Sequence, residues 1–172
     1  MDHREEAAYR HALPIDRILR LFSFFRTVPR VARVVRRRIG HTVKTKVVMV
    51  HDGRVLLVKS VADPKTWTLP GGTVRHKELV LLAAIREVRE ELGFRLRDES
   101  LRQLYTLSPE DPPMYNDYTI YGAFVESRPP IRLSLELLEA SWFTLQNLPD
   151  DAYFVHHPSI VDYIKMHVGT EL

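Results

Sequence analysis

The chain has 172 residues, 45% of them apolar and 27% charged, and no cysteine. That is about one domain with an ordinary globular balance, which excludes wholesale disorder, collagen-like repeats, disulfide scaffolds and thiolate or Cys-ligated metal chemistry. The net charge of +3 is uneven: residues 1–46 carry +8 and residues 47–172 carry −5, so a basic arm precedes an acidic body that is ill suited to broad nucleic-acid binding.

Within the arm, Ile15, Ile18, Leu19 and Phe22 recur at helical spacing, with Arg17, Arg20 and Arg26 interleaved. Pro29 interrupts, and a second basic stretch runs from Arg30 to Arg38. The pattern fits a helix packed on the domain, or one that meets a membrane surface or an anionic polymer such as an RNA 5′ end. The apolar core between these arginines is too short for a signal peptide, and Asp2, Glu5, Glu6 and Asp16 speak against a mitochondrial presequence. No apolar run approaches a transmembrane length. With cysteine absent as well, the cytoplasm is the expected location. A homodimer is compatible with this composition.

From Val43 the pattern turns to strands. Val43–Val50 is rich in β-branched residues, Asp52-Gly53 signals a hairpin, and Val55–Val58 returns. Trp67–Leu69 reads as a short strand ending at Pro70-Gly71-Gly72. Glu78–Leu92 reads as one helix that buries Leu79, Leu82, Ala83 and Val88, and Gly93 is its C-cap. Further strands are predicted near Arg102–Leu107, Tyr115–Glu126 and Trp142–Leu145. Between the first two lies an irregular loop, Ser108–Pro113, and a helix is predicted over Pro158–Val168. The boundary between the arm and the domain falls at 42/43.

Glu87, Glu90 and Glu91 stand at i, i+3 and i+4 and therefore share a helical face, where like charges repel by about 0.2–0.5 kcal/mol per pair. A hard divalent cation reverses that penalty, because Mg²⁺ and Mn²⁺ prefer carboxylate oxygen. Taken alone, a solvated acidic face explains the spacing equally well. The wider segment is more specific. It reads Gly72, five residues, Glu78, seven residues, then Arg86-Glu87-Val88-Arg89-Glu90-Glu91-Leu92-Gly93-Phe94. This resembles the Nudix box, G-x5-E-x7-R-E-U-x-E-E-x-G-U, at all seven fixed identities and both bulky U positions. A chance match has odds on the order of 10⁻⁹ per starting position. A looser resemblance covers about residues 45–150.

The resemblance implies an α/β fold: an α/β/α sandwich around a mixed sheet, here with an N-terminal basic helical arm. It implies hydrolysis of a nucleoside diphosphate linked to another moiety (a nucleotide, an ADP-ribose-like compound or a nucleotide sugar), with Mg²⁺ or Mn²⁺ as cofactor. It makes Glu87, Glu90 and Glu91 metal ligands, with the Gly71 carbonyl a further one. Arg86 becomes the residue that orients a box glutamate. Gly72 and Glu78 fall on the substrate side, although Glu78 is out of phase with Glu87 on a continuous helix and could instead brace the loop. The chemistry agrees with these assignments. A diphosphate repels a water nucleophile, and a divalent cation relieves the repulsion and lowers the pKa of the attacking water.

The general base is a box glutamate such as Glu90 or a later one, Glu136 or Glu139; Glu110 and Asp111 are further loop candidates. Pro109 stands near the position where ADP-ribose-cleaving members of the Nudix family resemble one another, but a turn role is the leading reading for it. Trp67, Tyr105, Tyr115 and Tyr118 are able to stack a base but equally able to pack, and His156-His157 reads as capping or surface. A Nudix-fold nucleotide sensor without turnover is the alternative function; four intact box glutamates favour the enzyme.

Overall fold

Val47, Val48, Met49 and Val50 are all completely buried, so the strand that carries them, β2 (Val43–His51), is covered on both faces. A continuous apolar run of this kind suits the middle of a sheet sandwiched between helices. In the computed structural model of the chain, residues 9–10, 42–108 and 116–167 are described. The expected arm helices, the proline-bearing loop with Pro109, Glu110 and Asp111, and Tyr115 lie outside them.

The elements follow as β1 (Tyr9–Arg10), β2, β3 (Arg54–Ser60), α1 (Val80–Leu92), β4 (Leu101–Leu107), β5 (Asp117–Phe124), β6 (Leu137–Thr144) and α2 (Pro158–Met166). The sheet order is β1-β6-β3-β2-β5-β4. β2 runs parallel to β5 and every other pair is antiparallel, which makes the sheet mixed. The β2–β3 turn has positive φ at both Asp52 (45°) and Gly53 (63°), the backbone a two-residue hairpin needs. Two residues of the segment read as an arm, Tyr9 and Arg10, pair with Ala140 and Glu139 at the sheet edge.

Each face of the sheet has its own core. On one, Ala84, Ile85, Val88 and Leu92 of α1 pack on Val47, Met49, Leu56, Val58, Ala140 and Trp142. On the other, Ile160, Tyr163 and Ile164 of α2 pack on Val48, Val50, Val55, Leu57 and Ile120. The result is an α/β/α sandwich. No helix among the described residues is long and apolar enough to cross a membrane.

α1 starts two residues later than its pattern predicts. Lys77 adopts φ 63°, Glu78 N donates to Arg75 O across a turn, and Leu79 is still extended. Leu79 and Leu82 are consequently exposed, at 68% and 44%: the first precedes the helix, and the second lies about 120° round from Val88. The C-terminus ends as expected, with Gly93 left-handed and its N–H on Arg89 O. Trp67–Leu69 is an isolated bridge between Val58 and Thr68 rather than a strand, because Pro70 has no N–H with which to extend the ladder. The strand expected at Trp142–Leu145 begins earlier, at Leu137.

α2 lies close against β5. A Cβ built on Gly122 would stand 2.5 Å from Cζ of Tyr163, which is buried, and burial pushes that phenol up to about 12. Gly122→Ala is expected to destabilise the fold by about 1–3 kcal/mol through overpacking, measured by urea denaturation. The cost should shrink when Tyr163→Ala is added.

Candidate active site

β2 and β3 pair only near their turn, at Val50–Val55 and His51–Arg54. The gap left as they diverge is filled by residues 68–72. Thr68 exchanges both backbone hydrogen bonds with Val58, Val47 N donates to Pro70 O at 2.9 Å, and Thr45 N donates to Gly72 O at 2.9 Å. Gly71 has φ 129°, and a Cβ there would lie 2.3 Å from Thr45 O, so no other residue fits. A Cβ on Gly72 would lie 2.6 Å from the carboxyl carbon of Glu87. The paired glycines thus press a bare stretch of backbone against the acidic face of α1.

Arg86 organises that face. Its Nε and Nη2 bond the two carboxylate oxygens of Glu78 at 2.7 and 2.9 Å, the bidentate geometry that favours guanidinium over ammonium. Nη1 bonds Glu87 Oε1 at 2.8 Å and Glu90 Oε2 at 3.0 Å, and Nη2 also reaches Thr73 O at 3.0 Å. One cation therefore ties three glutamates and the loop together. Glu78 accepts from Arg75 N as well, and the Arg86 hydrogen bonds hold its carboxyl down to about 2. Arg75 reaches Glu90 at 3.2 Å, an exposed pair of small energetic weight.

Glu91 is held differently. Its Oε2 accepts from Gly71 N at 2.7 Å. Desolvation raises its carboxyl to about 7, opposed by Lys46 and the Gly71 amide and reinforced by Glu87 and Glu136. Lys46 donates to Leu69 O at 2.7 Å and to Gly71 O at 3.0 Å; desolvation lowers its ammonium while Glu91 and Glu87 support the charge. Among the described residues no three His, Asp or Glu side chains are gathered around one point. The donor chemistry nevertheless fits a hard divalent cation: carboxylate oxygens of Glu87, Glu90 and Glu91 beside a glycine carbonyl, with burial penalising the charge on Glu91 even though Lys46 opposes that penalty.

The later glutamates separate. Glu136 is exposed and its charge acts on Glu91. Glu139 of β6 pairs in register with Lys59 of β3 and, by strand alternation from Ala140, points to the sheet face opposite α1. Trp67 is buried edge-on to Phe143 at 4.9 Å beneath Lys59 Nζ, and Tyr118 meets Phe154 at 5.0 Å. His157 caps α2, accepting from Ser159 N, and stacks on Tyr105 at 3.8 Å; His156 is exposed. Sequence reasoning missed Lys46 and Arg75. The signal for Lys46 was a lysine in phase with buried positions of a valine-rich strand.

The NUDIX domain family model matches residues 40–163. An ADP-ribose pyrophosphatase from Methanocaldococcus jannaschii is 32% identical over 120 residues, covering 69% of this chain and 70% of the relative. A NUDIX hydrolase from Nitrosomonas europaea superposes with a TM-score of 0.60 at 26% identity, over 74% of this chain and 72% of that one. A MutT NUDIX hydrolase from Burkholderia pseudomallei gives 0.56 at 25% identity, over 74% and 98%.

The depressed acidity of Glu78 yields a testable pH dependence. A carboxylate whose folded pKa lies below its unfolded value stabilises the fold above about 4.5, and that contribution is lost as pH falls toward about 2. Glu78→Gln should cost about 1–3 kcal/mol at pH 7, and the difference from wild type should close with acidification, measured by urea denaturation across pH 7 to 2.5.

Proposed function

The chain belongs to the Nudix family and is a pyrophosphate-hydrolysing enzyme; from that membership we propose that its substrate is a nucleoside diphosphate joined to a sugar moiety, of the ADP-ribose class, and that it works with Mg²⁺ or Mn²⁺. The observation that carries the site assignment is the Arg86 hub. It holds Glu78, Glu87 and Glu90 on one side of the Gly71–Gly72 backbone while Glu91 is anchored by the Gly71 amide. The substrate class is supported by the activity named for the archaeal relative.

In this reading Glu87, Glu90 and Glu91 hold the cation together with the Gly71 carbonyl. Such an ion, when bound there, would supply neutralisation of phosphate oxygens and activation of water. Arg86 has no ionisable role; it fixes the directions of Glu87 and Glu90 and, through Glu78 and Thr73, fixes the loop they face. Gly72 keeps the diphosphate approach free of side-chain atoms, and Glu78 braces that loop. Water adds to one phosphorus as the bridging oxygen leaves with the other, and a glutamate takes the water proton. Glu136, whose charge reaches Glu91, is the choice for that proton, since Glu139 points to the sheet face away from α1.

Glu87→Gln and Glu91→Gln should each lower kcat by about 100-fold or more with circular dichroism unchanged, and excess EDTA should abolish wild-type turnover. Chromatography of reactions with ADP-ribose, nucleotide sugars, nucleoside triphosphates and dinucleoside polyphosphates tests the substrate class. AMP and ribose 5-phosphate from ADP-ribose are the expected products. Inertness toward all of these, with tight binding of one, would replace hydrolysis by sensing. Glu136→Gln should cost more kcat than Glu139→Gln.

A further inference from the structure

Lys46 is one of two lysines in β2, and its ammonium sits against the 68–72 backbone rather than in solvent. It bonds Leu69 O and Gly71 O, while the amide of the same Gly71 bonds Glu91. One glycine is thus clamped from both ends, by a cation on its carbonyl and an anion on its amide. The carboxylates whose field reaches Lys46 are Glu91 and Glu87, two of the three proposed cation ligands, and the carbonyl it holds is the fourth proposed donor.

We propose that Lys46 is a stand-in cation: a positioning residue that holds the Gly71 carbonyl and balances Glu91 and Glu87 when no divalent ion is bound, and thereby competes with that ion for the same oxygens. The inference rests on the proposed metal site. Its physical content is reciprocity. A positive charge already bonded to a donor oxygen and close to two carboxylates lowers their affinity for a second positive charge, and removing it raises that affinity. The clamp also orients the carbonyl before the ion arrives, so the ion enters a set loop at the cost of weaker binding. A lysine serving only to fill space and satisfy two carbonyls would leave ion affinity untouched.

The test is calorimetric titration of the metal-free protein with Mn²⁺ alone, beside thermal unfolding with and without the ion. Lys46→Met removes charge and donor; Lys46→Gln removes the charge and keeps an N–H donor, and carries the test if the methionine variant does not fold. Lys46→Arg retains the charge. Both neutral variants should bind Mn²⁺ about tenfold more tightly than wild type and show a larger stabilisation by Mn²⁺, whereas Lys46→Arg should stay near the wild-type affinity. Unchanged or weaker Mn²⁺ binding in the neutral variants, with wild type binding normally, overturns the stand-in role alone. Failure of the wild-type protein to bind Mn²⁺ overturns the metal site and this inference together.

Discussion

Three carboxylates on one face of a helix repel each other, and the structure depends on how that repulsion is contained. Arg86 contains most of it. Its guanidinium bonds both carboxylate oxygens of Glu78 and reaches Glu87, Glu90 and the Thr73 carbonyl. A lysine at this position would supply the charge but not five donors in a fixed plane. The same contacts stop the chain before α1 from straightening, so the turn through Lys77 and the late helix start follow from the electrostatics.

The second constraint is steric. The 68–72 segment lies in the sheet, between two strands that part company, and it does so without side chains where it meets Thr45 and Glu87. Backbone amides and carbonyls are therefore presented to the acidic helix at close range. The Gly71 amide serves Glu91 and the Gly71 carbonyl serves Lys46. Charge balance and loop geometry converge on one residue that has no side chain of its own.

Much of this architecture was legible in the residues. The valine-rich β2, the Asp52-Gly53 turn, the Gly93 cap and the α2 start at Pro158 each carry a local chemical signature, and each element forms where it was expected. The fold class was implied by the resemblance to the Nudix box. The differences arise where tertiary contacts override local pattern. Glu78 leaves the helix because Arg86 and the Arg75 amide bind it outside. Leu79 and Leu82 look apolar enough for a core, but the helix phase is set by Ala84, Ile85, Val88 and Leu92. Lys46 stands out in the sequence only as a lysine in phase with buried strand positions; what it binds could not be read there, because its partners are main-chain oxygens of residues more than twenty positions away.

The parallel contact between β2 and β5 has a kinetic consequence. Thr42 and Asn116, which meet at the start of that pair, are 74 residues apart along the chain, so the centre of the sheet closes only after a long intervening stretch has been organised. Loop closure over such a distance is slow relative to forming a helix or a hairpin. A nascent chain halted before β5 lacks the neighbour that flanks β2 and part of the core on which α1 packs. Completion of the sheet centre is therefore a late event in folding, and a ribosome-bound fragment of this enzyme is expected to be inert until the second half has emerged.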